Sequence, residues 1–221
     1  MALWRWSGNK YEKVDWHCLA AKLPATLFGG GSSLNDADLN APGTFRFVQN
    51  RSWLKVEPHL WCGLENPEAH GKDLLDTPFR KVLRGNFAQE LVAGIPAREY
   101  PETYWADVET VPLENILLSR TADTKFIWQK NTMYFTLHMM VWMGYRDIRL
   151  AGIDLHGDYF DKPDFGLANK RLVGQLLQEQ FKFFEWFAPA AASVGIKLTN
   201  LSPGSRLAKI PAIVQAPAAG G

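Results

Sequence analysis

Three ionisable side chains crowd into five positions of the sequence: Asp154, His156 and Asp158, within a stretch from Gly144 to Asp158 that reads GYRDIRLAGIDLHGD. Carboxylates beside an imidazole are the raw material of proton transfer at neutral pH, because histidine titrates near pH ~6.5. The residues around them say how they are held. Gly144 reads as the end of a helix, Asp147 to Ala151 as a short apolar strand, and the ionisable group as the loop that leaves the strand's carboxyl end. In open α/β sheets, ligands collect at that end, where helix N-termini and free backbone groups converge.

A second group of chemical interest lies upstream. Ala25 to Phe28 read as a strand, followed by Gly29, Gly30, Gly31, Ser32 and Ser33 and a helical turn beginning near Leu34. Glycines after a strand let backbone approach a ligand closely, and the next helix start offers unpaired N–H groups to a phosphate. The spacing fits neither G-x-G-x-x-G nor the lysine-bearing P-loop, so a turn that needs no ligand remains an equal reading. Thr44 to Val48 read as a strand with Asn50 just beyond its end, placed either to read a base or ribose or simply to cap a turn. Asn131 or Thr132 caps a helix running to Met143, apolar almost all round and therefore buried; its His138 reads as a core histidine.

Composition narrows the classes. The chain has 221 residues, 47% of them hydrophobic, enough for one sizeable core, with 24 basic and 23 acidic residues. A net charge of +1 provides no general field for nucleic acid or an anionic membrane. Two cysteines, Cys18 and Cys62, are too few for a disulfide framework and suggest a reducing, cytoplasmic setting. No signal peptide is evident, and the longest apolar run, Phe135 to Met143, is too short to span a bilayer. His59, Cys62 and His70 lack a fourth ligand at any usual zinc spacing. No carboxylate cluster adjoins the glycine turn to hold Mg²⁺, so no essential metal is expected.

The remaining elements follow from pattern. The tryptophan-rich residues 1–22 read as a segment decorating the domain, whose aromatics either cover a core edge or stack on a sugar or a partner. His59 to Leu64 read as a strand, residues 73–92 as a helix, and residues 94–125 as loops with one short element. Phe126 to Trp128 suggest a strand. Asn169 to Phe187 carry the apolar stripe of a long helix, and Ile196 to Thr199 a late strand before NLSPGS. Residues 159–165 suit a mobile lid, and 213–221 a disordered tail. The expected fold is α/β: a single Rossmann-like domain over 23–212, with a mostly parallel sheet flanked by helices.

Three segments together resemble the bacterial sialyltransferases, whose fold is Rossmann-like and whose chemistry is metal-independent, and related phage and bacterial proteins of uncertain role. LFGGGSSLND resembles that family's strand and glycine turn, with Ser32 where the family has proline. TFRFVQN resembles a strand ending in a nucleotide-contacting asparagine. NTMYFTLHMMVWMGYRDIRLAGIDLHG resembles a Thr/Ser-led helix and the motif G-Y-[KR]-[ED]-I-x-L-x-G-I-D, and NLSPGSRL the closing loop. The resemblance implies a donor of the CMP-sugar type, contacted by Gly30 and Ser32 within the turn Gly29 to Ser33 and by Asn50 beyond the next strand. It places Asn131 and Thr132 near sugar or phosphate, Ser202 and Gly204 in the closing loop, and Asp154 as organiser of the pocket. The donor is a substrate, so no separate cofactor is implied. The acceptor would be a glycan or another hydroxyl compound, and a homo-oligomer is compatible with all of this.

This chain departs from the family at the catalytic base. The sialyltransferases place a histidine in the lid, and here no histidine follows His156. His156 stands where they have a phosphate-contacting tyrosine; Tyr159 is a second candidate for that role. The base is then His156, Asp158 or Asp161, or the transfer chemistry is gone and a nucleotide-binding or phage accessory protein keeps the fold. A two-metal phosphoesterase, suggested superficially by DLHGD, lacks the downstream histidine ligands that such a centre needs.

Overall fold

The computed structural model describes residues 3–19, 23–35, 43–110, 125–127, 131–156, 166–202 and 204–216. Its strands in chain order are β1 (Leu3–Trp6), β2 (Tyr11–Lys13), β3 (Ala25–Phe28), β4 (Phe45–Gln49), β5 (Leu60–Cys62), β6 (Arg80–Arg84), β7 (Leu91–Val92), β8 (Ile95–Pro96), β9 (Thr103–Ala106), β10 (Val108–Glu109), β11 (Phe126–Ile127), β12 (Asp147–Ala151), β13 (Lys197–Asn200) and β14 (Ile213–Gln215). The α-helices are α1 (Gly71–Leu75), α2 (Thr132–Trp142) and α3 (Gly166–Ser193). Ten strands form one mostly parallel sheet, in the order β14-β13-β12-β3-β4-β5-β6-β9-β1-β2. This is the expected helix-flanked, Rossmann-like α/β fold. The backbone divides into two compact units, Met1–Ala21 with Arg46–Gly144, and Lys22–Phe45 with Tyr145–Gly221.

In the second unit β3, β12, β13 and β14 are all parallel. Strands buried on both faces read as unbroken apolar runs, and β3 has no exposed residue. Ile148 pairs with Ala25 and Leu198, and Leu150 with Leu27 and Asn200. That register brings the carboxyl ends of β3, β12 and β13 level. Helix α3, of 28 residues, packs on β13 and buries Phe183, Phe184, Phe187 and Ala191. Its apolar stripe predicted the element, and both ends extend beyond the predicted range. Residues 213–215, expected in a disordered tail, instead form β14, because Ile213 is buried and the backbone pairs with β13.

In the first unit β4, β5, β6 and β9 run parallel, and the N-terminal β1 and β2 add antiparallel strands beyond β9. All eleven residues of α2 are buried. Asn131 caps it, its Oδ1 accepting from Met133 N at 2.8 Å. Gly144, at φ +95°, ends the run in the left-handed region that glycine tolerates.

The helix expected over 73–92 is corrected. Only α1 is α-helical there, and a central strand, β6, follows. Pro78 removes a backbone donor and disfavours helical backbone at Thr77. Lys81, inside β6, disguises the strand by being charged yet fully buried. Its Nζ donates to the Thr77 carbonyl at 2.6 Å and the Phe79 carbonyl at 3.0 Å, and burial lowers its pKa to about 8. Asp158, Tyr159 and the expected lid at 159–165 lie outside the described residues.

Candidate functional site

At the carboxyl ends of β3 and β12 the chain must turn twice in little space. Gly29 N donates to the Ala151 carbonyl at 2.8 Å and Gly31 N to the Gly152 carbonyl at 2.7 Å, so the glycine turn is laced to the end of β12. A Cβ on Gly31 would stand 2.6 Å from Asp154 Cγ and 2.8 Å from the Gly152 carbonyl oxygen. One on Gly152, at φ +66°, would stand 2.5 Å from the Gly29 carbonyl oxygen. Glycine is required at both positions by the approach of two backbones, whatever ligand the turn receives.

Behind the turn lies a buried polar cluster. Asp154, 2% exposed, accepts from Ser33 N at 2.8 Å, from the Ser33 hydroxyl and from the Ser32 hydroxyl at 3.3 Å. Ser33 Oγ and Ser202 Oγ are hydrogen-bonded at 2.7 Å, and Gly152 N donates to Ser202 Oγ at 2.8 Å. Each hydroxyl has one proton. The carboxylate fixes its direction: Ser33 donates to Asp154, so Ser202 donates to Ser33 and accepts from Gly152. The result is a chain of donors ending on a buried anion, the arrangement that lets an ionised carboxylate stay out of water.

The chain that follows β13 clasps this cluster. Asn200 Oδ1 accepts from Ser202 N at 3.1 Å, while its Nδ2 donates to the Ser202 carbonyl and to Gln215 Oε1. Ser205 Oγ donates to the Ile153 carbonyl at 2.6 Å, and Arg206 N to the Asp154 carbonyl at 3.0 Å. Between them Leu155 takes φ +60°, rare for a branched residue and held only by surrounding contacts. Arg206 Nη1, 3.3 Å from the Leu155 carbonyl, is one such contact. That turn delivers His156 to the surface, its Nε2 3.9 Å from Asp154 Oδ2.

The second unit therefore brings together seven of the predicted residues, Gly29, Gly31, Ser32, Ser33, Asp154, His156 and Ser202. Gly30 sits partly exposed at the tip of the turn. Gly204 is exposed at φ +80°, with open space where a side chain would go. Asn200, which anchors Ser202, was missed; an asparagine ending a strand before a Pro-Gly turn is the signal that could have found it.

Asn50, Asn131 and Thr132 belong to the first unit. Asn50, at φ +47°, opens a 3₁₀ turn, and its carbonyl accepts from Trp61 Nε1 at 2.8 Å. Thr132 is 4% exposed, and its Oγ1 has no hydrogen-bond partner among the described residues; Gln49 Oε1, at the end of β4, has none among them either. A buried orphaned oxygen needs an explanation, and Gln49 escaped the sequence reading because the strand was expected to stop at Val48. The histidines of this unit have structural partners. His138 Nδ1 accepts from Ile127 N at 3.0 Å, with burial lowering its pKa to about 4. His59 Nδ1 accepts from Arg46 N, and His70 faces Glu65.

No protein-family model and no curated protein sequence matches the chain. The fold is similar to solved structures of the sialyltransferase CstII from Campylobacter jejuni. Against its complex with the substrate analogue CMP-3FNeuAc the TM-score is 0.53 at 16% identity, covering 88% of this chain and 86% of that one. Against its complex with cytidine-5'-monophosphate the TM-score is 0.52 at 15% identity, covering 89% and 86%. At such identity the likeness shows a shared fold.

Proposed function

We propose that the chain is a nucleotide-sugar-dependent glycosyltransferase of the sialyltransferase type, with a CMP-sugar as donor and a hydroxyl compound, a glycan foremost, as acceptor. The observation that carries this reading is the glycine turn tied by Asp154, Ser33 and Ser202 to the carboxyl end of the parallel strands. There it presents partly exposed backbone at Gly30 and the Ser32 hydroxyl. The similarity to a fold whose solved examples hold CMP and a CMP-sugar analogue supports the choice of nucleotide.

In this reading the acceptor oxygen attacks the anomeric carbon as the bond to the nucleotide phosphate breaks, a base takes the hydroxyl proton, and CMP departs. Donors to the leaving phosphate supply the electrostatic stabilisation. Asp154 is a positioning residue, because its oxygens are engaged inside the protein. His156, partly exposed beside it, is the group placed to move a proton. As base it takes the acceptor's proton; as donor it gives one to the leaving phosphate. Asp158 and Tyr159 keep supporting roles as carboxylate and phenol beyond the turn. Asn50, Asn131, Thr132 and Gly204 carry their assignment from the sequence resemblance alone.

The test is hydrolysis of CMP-sialic acid in EDTA without acceptor, together with calorimetry of CMP binding. CMP should bind without a divalent ion, Gly30→Val should abolish binding, and His156→Asn should remove about 10²-fold or more of kcat. Binding that requires a metal, or that Gly30→Val leaves intact, defeats the assignment. Binding with no hydrolysis of any nucleotide sugar favours the second reading, a nucleotide-binding protein without turnover, a phage accessory factor among them. That reading draws on how completely Asp154, Ser33 and Ser202 satisfy one another. Both cysteines are free thiols, which fits a cytoplasmic setting. No described helix is long and apolar enough to cross a membrane.

A further inference from the structure

The first unit has a cleft of about 490 Å³ where residues 98–104 pass the N-terminal hairpin, and its lining includes Arg5, Trp6, Arg98, Glu99, Glu102 and Tyr104. None of the Asp154 cluster takes part. That volume falls in the range of small-ligand sites. The wall is built by strand pairing: Arg5 is the cross-strand partner of Tyr104, and Trp6 of Tyr11. The Arg98 guanidinium lies 4.6 Å from the Trp6 ring centre, and its Nη1 donates to Gln89 and lies 3.5 Å from the Tyr11 hydroxyl. Its Nε is buried without a hydrogen-bond partner among the described residues. On the acceptor side, Glu102 is held at φ +48° and accepts from the Tyr104 hydroxyl at 3.3 Å. Glu99 is exposed.

The lining thus sets donor-only guanidinium groups beside acceptor-only carboxylates, with aromatic rings between them. A phosphate would meet the carboxylates and an ammonium group the guanidiniums. A hydroxyl both donates and accepts, so vicinal hydroxyls satisfy both kinds of wall at once, while the C–H face of a pyranose suits an aromatic ring. We propose that this cleft is a saccharide-binding site for an uncharged mono- or disaccharide unit, with Arg5 and Glu99 bonded to ring hydroxyls and Trp6 packed against the sugar. It gives Trp6 a role that the transfer reaction does not, and stands whether or not the chain turns over nucleotide sugars.

The experiment is saturation-transfer-difference NMR on the full chain, with lactose at about 10 mM as probe, a concentration suited to weak sugar binding. Lactose should receive saturation, and Glu99→Gln should weaken its affinity about tenfold, the scale of one hydrogen bond to a charged group, with no change in melting temperature or in binding of CMP. Trp6→Ala should abolish the signal; where it unsettles the hairpin, Glu99→Gln decides. Asp154→Asn should leave the lactose signal in place. No saturation transfer, a signal indifferent to Glu99→Gln, loss of signal in Asp154→Asn alone, or binding of L-alanine in preference to lactose would each overturn the proposal.

Discussion

Replacing Ser33 by alanine removes one oxygen atom and leaves no void worth counting, so its effect isolates hydrogen bonding. Two terms add. The Ser33 hydroxyl bonds a buried carboxylate, an interaction of about 1.5–3 kcal/mol. Its loss also strands the Ser202 hydroxyl, 1% exposed, whose proton has no other recorded acceptor, at roughly 1–3 kcal/mol for a buried unsatisfied group. Asp154 still accepts from Ser33 N and Ser32, which limits the total to roughly 3–5 kcal/mol. Urea unfolding at pH 7 reads this directly, with the slope against denaturant unchanged. Ser202→Ala should be of similar size because it orphans Gly152 N. The double variant should lose less than the sum, by about 1–3 kcal/mol, since neither hydroxyl is left to be stranded. A Ser33→Ala effect under about 1 kcal/mol, or strict additivity, would refute the donor chain.

Gly31→Ala forces a methyl group to 2.6 Å from the Asp154 carboxylate; a loss of roughly 1–3 kcal/mol is expected, whereas Gly204→Ala, with open space, should lose only about 1 kcal/mol from its backbone conformation, both read by urea unfolding. His138 is neutral in the fold, its pKa lowered from 6.5 to about 4 by burial. The unfolded chain therefore binds the extra proton, and the stabilisation, complete above pH 6.5, fades as pH falls towards 4. The loss is about 3 kcal/mol, and a His138→Gln variant should show a correspondingly flatter fall between those pH values; parallel curves would remove the histidine from the account. Cys62 is buried, with burial pushing its pKa to about 12, while Cys18 is exposed. A thiol reagent at pH 8 should therefore modify one cysteine in the native protein and both after denaturation, and two fast native thiols would contradict the packing around Cys62.

What the sequence disclosed was local. The strand Asp147–Ala151 and a helix cap at Asn131 or Thr132 follow from short-range pattern; the strand stands where pattern put it, and Asn131 is the cap. Strand β6 was hidden because a buried lysine breaks the apolar run that marks a central strand, and its satisfaction by the Thr77 and Phe79 carbonyls is tertiary information. At the N-terminus no more than one short strand or helix was expected, because β1 gains its stability from β9, a partner about a hundred residues away, and β2 from β1. The glycine turn was visible as glycines. That Gly31 is constrained by Asp154 was not, since the two come together only when β3 pairs with β12.

The clasp around Ile153 to Leu155 has a consequence for biosynthesis. Ser33 meets Asp154 across 121 residues and Ser202 across 169, and the clasp itself is supplied by residues 200–207. Contacts of such separation close late, after the entropy of long loops has been overcome. On a ribosome, a nascent chain that has emerged only as far as α3 can join Ser33 to Asp154 but has no Ser202 to complete the donor chain. Chains ending before Ser202 should hold the turn less firmly and be cut there more readily by proteases. The polar cluster thus makes the final seating of the glycine turn wait for a serine synthesised 169 residues later.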